Sequence, residues 1–158
     1  MIVSVLILIL SVAMFFFYFQ VTCQKIMRQQ FAREYFRSVV KANGLEFLAL
    51  RESLAQFGAP ADYPRLREML RCDFLALTYL LKNVGNAKAR YSSKERLLIL
   101  YFHSLFLSLA ARRLLRFGEK QAILRMTSVL QYFSNVVGQR MDTVGFGNLA
   151  AAEYLPNL

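Results

Sequence analysis

A chain of 158 residues holds one domain of ordinary size plus a short appendage. Apolar residues make up 56% of it and mean hydropathy is +0.34, more than a water-soluble domain needs, so part of the surface is expected to be solvated by lipid or by partner proteins. Twenty Lys and Arg against ten Asp and Glu give a net charge of +10, which implies an anionic partner, and two cysteines are too few for a disulfide scaffold.

The first element is apolar throughout. From Met1 through Phe19 no side chain is charged, and the first charge is Lys25. About 20 apolar residues cross a hydrocarbon core about 30 Å thick. Ile2 to Cys23 meets that need with only Ser4, Ser11, Gln20 and Thr22 as polar interruptions. A helix buried in a soluble core rarely stays uncharged for so long. A cleaved signal peptide calls for basic residues ahead of the apolar run and small residues at the cut. The run has no Lys or Arg before it, and its exit reads Phe19-Gln20-Val21-Thr22-Cys23-Gln24-Lys25. Residues 1–23 are therefore expected to be an uncleaved transmembrane anchor.

The flanks set the expected orientation. Lys25, Arg28, Arg33, Arg37 and Lys41 follow the span, and only the amino terminus precedes it. Positive charge stays inside, which puts the N-terminus outside and the C-terminal domain in the cytoplasm. There Cys23 and Cys72 are expected as reduced thiols. Phe15, Phe16, Phe17, Tyr18 and Phe19 gather toward the cytoplasmic end. They suit either an interfacial belt or packing on a neighbouring transmembrane helix. With Arg28 they are candidate membrane or partner contacts.

Residues 24–43 continue as an amphipathic juxtamembrane helix. Met27, Phe31, Tyr35 and Val39 recur at four-residue spacing, with Arg33, Arg37 and Lys41 on another face. No Gly or Pro intervenes before Asn43-Gly44, a C-cap signal, so one helix is expected to run from the membrane for about 60 Å at 1.5 Å per residue. Residues 44–142 then read as a bundle domain of about four helices. A short one, Leu45 to Phe57, is expected to be half exposed, because Leu45, Leu48, Leu50 and Leu54 are mixed with Glu46, Arg51 and Glu52. After Gly58-Ala59-Pro60, Asp62 can cap the next helix with Pro64 in its first turn. That helix starts charged, with Arg65, Arg67, Glu68, Arg71 and Asp73, and turns apolar on nearly all sides from Phe74 to Leu81. A polar loop leads to Ser92 and Glu95, which have capping-box spacing. The helix they open runs to about Phe117, Gly118 breaks it, and a last helix covers Glu119 to Met141. Residues 143–158 form an extended, glycine-containing tail. The expected fold class is all-α, a single transmembrane helix continuing into a small cytoplasmic helical bundle.

Leu97 to Ala111 carries no charge, but its 15 residues fall short of a standard span. It is expected to be the buried central helix of the bundle, with a short or tilted second membrane segment as the alternative. Ser104, Ser108 and Ala111 would form an inward stripe of small residues against a neighbouring helix.

The residues of catalysis are sparse. The one histidine, His103, has no His, Cys or carboxylate three or four positions away, and is expected as a hydrogen-bonded core residue rather than a ligand. Cys23 and Cys72 are isolated. The glycine signatures of dinucleotide, phosphate and nucleophile-elbow sites are absent, and the acidic residues are scattered singly. No enzyme, no cofactor and no metal is expected. Two basic groups remain, Lys82, Lys88, Arg90, Lys94 and Arg96 at one end of the fourth helix and Arg112, Arg113, Arg116 and Lys120 at the other. Charge beside a membrane meets anionic lipid headgroups, and Arg112, Arg113 and Arg116 are the expected lipid or partner contact. Nucleic acid is disfavoured, because the loop before the fourth helix is too long for a helix-turn-helix. The composition suits a non-catalytic accessory or scaffolding subunit of a larger membrane complex, meeting other membrane-protein subunits, with no small-molecule substrate evident. The alternative is a free-standing, membrane-tethered regulator that binds anionic lipid or nucleic acid through its basic surface.

Overall fold

The computed structural model describes residues 1–29, 31, 34–57, 63–84, 91–115 and 119–144. The expected Asp62 cap, Lys88, Arg90, Arg33 and the tail from 145 onward lie outside them. Six helices and no strand occur among the described residues: α1 (Ile2–Met27), α2 (Phe36–Asn43), α3 (Phe47–Phe57), α4 (Tyr63–Asn83), α5 (Ser93–Leu115) and α6 (Glu119–Val144). The fold is all-α. It divides into two compact units, Met1–Gln30 and Phe31–Leu158.

The first unit is α1. Its 26 residues rise about 39 Å at 1.5 Å each, more than a hydrocarbon core requires. Every side chain from Met1 to Tyr18 is exposed, so among the described residues none covers this apolar surface. Among the described residues it is the one helix long and apolar enough to cross a membrane.

The expected continuous helix from α1 to Asn43 does not form. The helix stops at Met27 and resumes at Phe36, although no glycine or proline lies between. The reason is tertiary. The Oδ1 atom of Asn135, far along the chain, accepts hydrogen bonds from the backbone N–H of Tyr35 and of Phe36, both at 2.9 Å. Those are donors that an unbroken helix would have sent to carbonyls four residues back. The Asn43-Gly44 stop forms as expected. Gly44 is left-handed at φ +60°, and Leu45 N–H reaches back to Val40 O at 3.1 Å, closing a Schellman-type cap.

In the second unit α6 is the hub, packing on α2, α3, α4 and α5. Ala122, Ile123, Met126, Val129, Leu130, Phe133, Val137 and Met141 are all 1% exposed or less. Thr127, Ser134 and Asn135 are buried beside them. This corrects the expectation that Leu97–Ala111 is central. Of that segment, Leu98, Tyr101, Phe102, Leu105 and Leu109 are buried, whereas Leu100 is 61% and Leu107 74% exposed. Hydropathy measures transfer from water, not the number of neighbours a helix has. α5 has neighbours on one side, and α6 has them all round. The small-residue stripe is corrected with it. Ser104 and Ser108 are half-buried, their hydroxyls donate to their own helix at Tyr101 O and Leu105 O, and Ala111 is exposed.

Helices α4 and α5 form an antiparallel hairpin. The rings of Phe74 and Phe102 stack with centroids 4.0 Å apart and planes at 1°. Toward one end Arg67 lies over the Phe106 ring at 4.9 Å, and toward the other Tyr91 OH donates to Thr78 O at 3.1 Å.

Candidate functional site

Three buried polar side chains fix the second unit. Asn135 holds the start of α2. Asp73 does the same for α3: its Oδ2 accepts from Glu46 N at 3.0 Å and Phe47 N at 2.8 Å. Burial raises the Asp73 pKa, against the two backbone hydrogen bonds, which lower it. Glu95 reaches back to the Ser92 N–H at 3.0 Å, as the capping-box spacing predicts. It also pairs with Arg140 at 2.5 Å, and Arg140 donates to Leu81 O at 2.7 Å. One guanidinium thus serves the last turn of α4 and the first turn of α5, a cation at a C-terminal end and an anion at an N-terminal end, as helix dipoles favour.

Turning Asp73 and Glu95 inward has a consequence for the outer surface of the hairpin. Exposed on α4 are Arg65, Arg67, Arg71 and Lys82, with Glu68 the one acid in that helix left outside. Exposed on α5 are Lys94 and Arg96, and its single acid, Glu95, is buried. The antiparallel pairing brings the basic start of α4 to the same end of the bundle as the basic end of α5. There Pro64, Arg67, Glu68, Arg71 and Phe106 line a shallow open groove. The Arg67-x-x-x-Arg71 spacing, one helical turn, was visible in the sequence; that a hairpin would add it to the second basic group was not.

The sequence-predicted contacts fall in separate places. Phe15, Phe16, Phe17 and Tyr18 are 58–76% exposed on α1. Five consecutive aromatics advance about 100° each, so with Phe19 they form a collar round the helix. Phe15 meets Phe16 edge-on at 6.0 Å and stacks with Phe19 at 6.5 Å. Arg28 is exposed at the C-cap of α1. Arg112 is half-buried, seven residues beyond buried Leu105 and so on that same side of α5. The Arg113 side chain and all of Arg116 lie outside the described residues. His103 is exposed, which corrects its expected place in the core. Its Nδ1 donates to Ile99 O at 2.8 Å, and its ring meets Phe74 edge-on at 5.3 Å. That bond satisfies one ring nitrogen within its own helix.

Among the described residues no three of His, Cys, Asp and Glu lie together as metal ligands. Cys72 is exposed on α4, one turn from Glu68. What the arrangement offers is surface: an aromatic-collared apolar helix and a predominantly basic, leucine-bearing hairpin. Comparison of the chain with protein-family models, with curated proteins and with solved structures finds no match.

Proposed function

We propose that this chain is a non-catalytic accessory or scaffolding subunit of a larger membrane complex. α1 lies in the bilayer with its N-terminus outside, and the helical bundle stands in the cytoplasm. The observation that carries the reading is α1 itself: an apolar helix of 26 residues whose membrane-length window is 0% buried by the rest of the chain. Such a surface is solvated by lipid or by other membrane helices. The aromatic collar is the part suited to other helices, because stacked and edge-on rings pack specifically where lipid tails do not. Lys25 and exposed Arg28 at its end support the orientation.

The test is purification of the full chain from its native membrane in mild detergent. Stoichiometric membrane subunits are expected to remain with it. Replacing Phe15, Phe16 and Phe17 together by Leu keeps the span apolar and is expected to release them. A chain that purifies alone from the native membrane overturns the subunit reading.

A further inference from the structure

The geometry points to an anionic lipid surface as the ligand of the outer face of the α4–α5 hairpin, with Leu100 and Leu107 entering the headgroup layer and Arg67, Arg71 and Arg96 meeting lipid phosphates. On α5, Arg96, Leu100, His103 and Leu107 fall within about 60° of one another at 100° per residue, forming a single exposed ridge. On α4, Arg71, Leu75, Tyr79 and Lys82 do the same within about 80°. The α4 ridge is apolar in the middle, where Leu75 is 54% exposed, and the α5 ridge carries Leu100 at 61% and Leu107 at 74% beyond Arg96. The α4 ridge is basic at both ends, and the α5 ridge at its Arg96 end. That is the pattern of an interfacial helix, in which leucines enter the boundary between headgroups and acyl chains while long basic side chains reach the phosphates.

Charge sign favours an anionic lipid surface over a protein partner. Of the three acids on α4 and α5, Asp73 and Glu95 are turned inward to cap α3 and to bind Arg140, which leaves Glu68 alone among Arg67, Arg71 and Arg96. The exposed leucines stand beside basic residues on each helix surface, as in helices that lie in a membrane interface. An anionic leaflet supplies matching charge and a deformable apolar layer at every point of contact. The exposed Arg67 guanidinium lies over the Phe106 ring at 4.9 Å, a cation–π contact that holds the charge at this surface. This inference does not depend on the presence of partner subunits, and the two can fail separately.

The chain contains no tryptophan, so a single Leu107→Trp substitution gives an unambiguous reporter at a position that tolerates it by exposure. The full chain is placed in nanodiscs of phosphatidylcholine, with or without an equal share of phosphatidylglycerol, using brominated acyl chains as quenchers. Emission from Leu107→Trp is expected to shift to the blue and to be quenched several-fold more in the anionic discs. High salt, or Arg67→Gln with Arg71→Gln and Arg96→Gln, is expected to reverse both effects. Ser53→Trp, exposed on α3, is expected to stay solvent-like throughout. Solvent-like, unquenched emission from Leu107→Trp in anionic discs overturns the inference. So does a blue shift without bromine quenching, which would mean that protein covers the ridge. Equal quenching of Leu107→Trp and Ser53→Trp overturns it as well.

Discussion

Asn135 and Asp73 hold the two short helices by their first backbone N–H groups, which no helix can satisfy from within. Asn135→Ala leaves two part-buried or buried donors without that acceptor and is expected to cost about 2–3 kcal/mol in denaturant unfolding of the detergent-solubilised chain. Asn135→Asp keeps the acceptor and is expected to cost less. At Asp73 the same comparison isolates the charge. Burial raises its pKa, so the folded chain holds this proton more tightly than the unfolded chain. Its contribution is therefore fully present below the unfolded carboxylate pKa and is lost as pH rises through the folded value. Asp73→Asn keeps an acceptor for Glu46 and Phe47 without the charge. Relative to this variant, the wild type is expected to lose stability as pH rises out of the acid range, then to level off. A stability difference independent of pH would contradict that. Gly138 shows how closely α2 and α6 approach: a Cβ there would lie 2.2 Å from Tyr35 Cβ and 2.8 Å from its Cγ. Gly138→Ala must push α2 away and is expected to destabilise by about 3 kcal/mol, the upper end of overpacking. Thermal unfolding of that variant checks it.

Among the elements, α5 and α6 separate what sequence could reveal from what it could not. The local signals were legible. Asn43-Gly44 ends α2, Ser92 with Glu95 opens α5, and Pro64 sits in the first turn of α4, because each works within one helical turn. The choice of central helix was not legible, because it depends on neighbours. α6 carries Thr127, Ser128, Ser134 and Asn135 and so reads as half polar. Yet the three hydroxyls donate to carbonyls of their own helix, Leu124 O and Leu130 O, and Asn135 caps α2. Satisfied in this way, they can be buried without a large desolvation cost. The uncharged segment Leu97–Ala111 of α5 looks like a core and presents half its circumference outward. The break between α1 and α2 is likewise written in Asn135 and Gly138, about a hundred residues away. The basic outer face shares this origin, because only the packed bundle decides that Asp73 and Glu95 turn in. Leu107→Gln and Leu100→Gln are expected to change stability by no more than about 0.5 kcal/mol, as exposed substitutions do. Phe133→Ala, in α6, is expected to cost about 3–5 kcal/mol through the cavity it opens. Equal losses at Leu107 and Phe133 would return α5 to the centre of the bundle.

For the whole molecule, the proposed place at a bilayer rests on two features, a net charge of +10 and a bare apolar helix. In the second unit the burial of Asp73 and Glu95 leaves Glu68 as the one exposed acid on α4 and α5 among the described residues, so their outer surface is mainly basic. The account depends most on α1 remaining in the membrane as a single span. Its most direct measurement is alkaline carbonate extraction of membranes carrying the full chain with a C-terminal tag, followed by protease treatment of sealed vesicles with the cytoplasmic face outward. The account predicts that the chain stays in the membrane pellet and that the tag is digested. Release into the supernatant, or a tag protected until detergent is added, would contradict it.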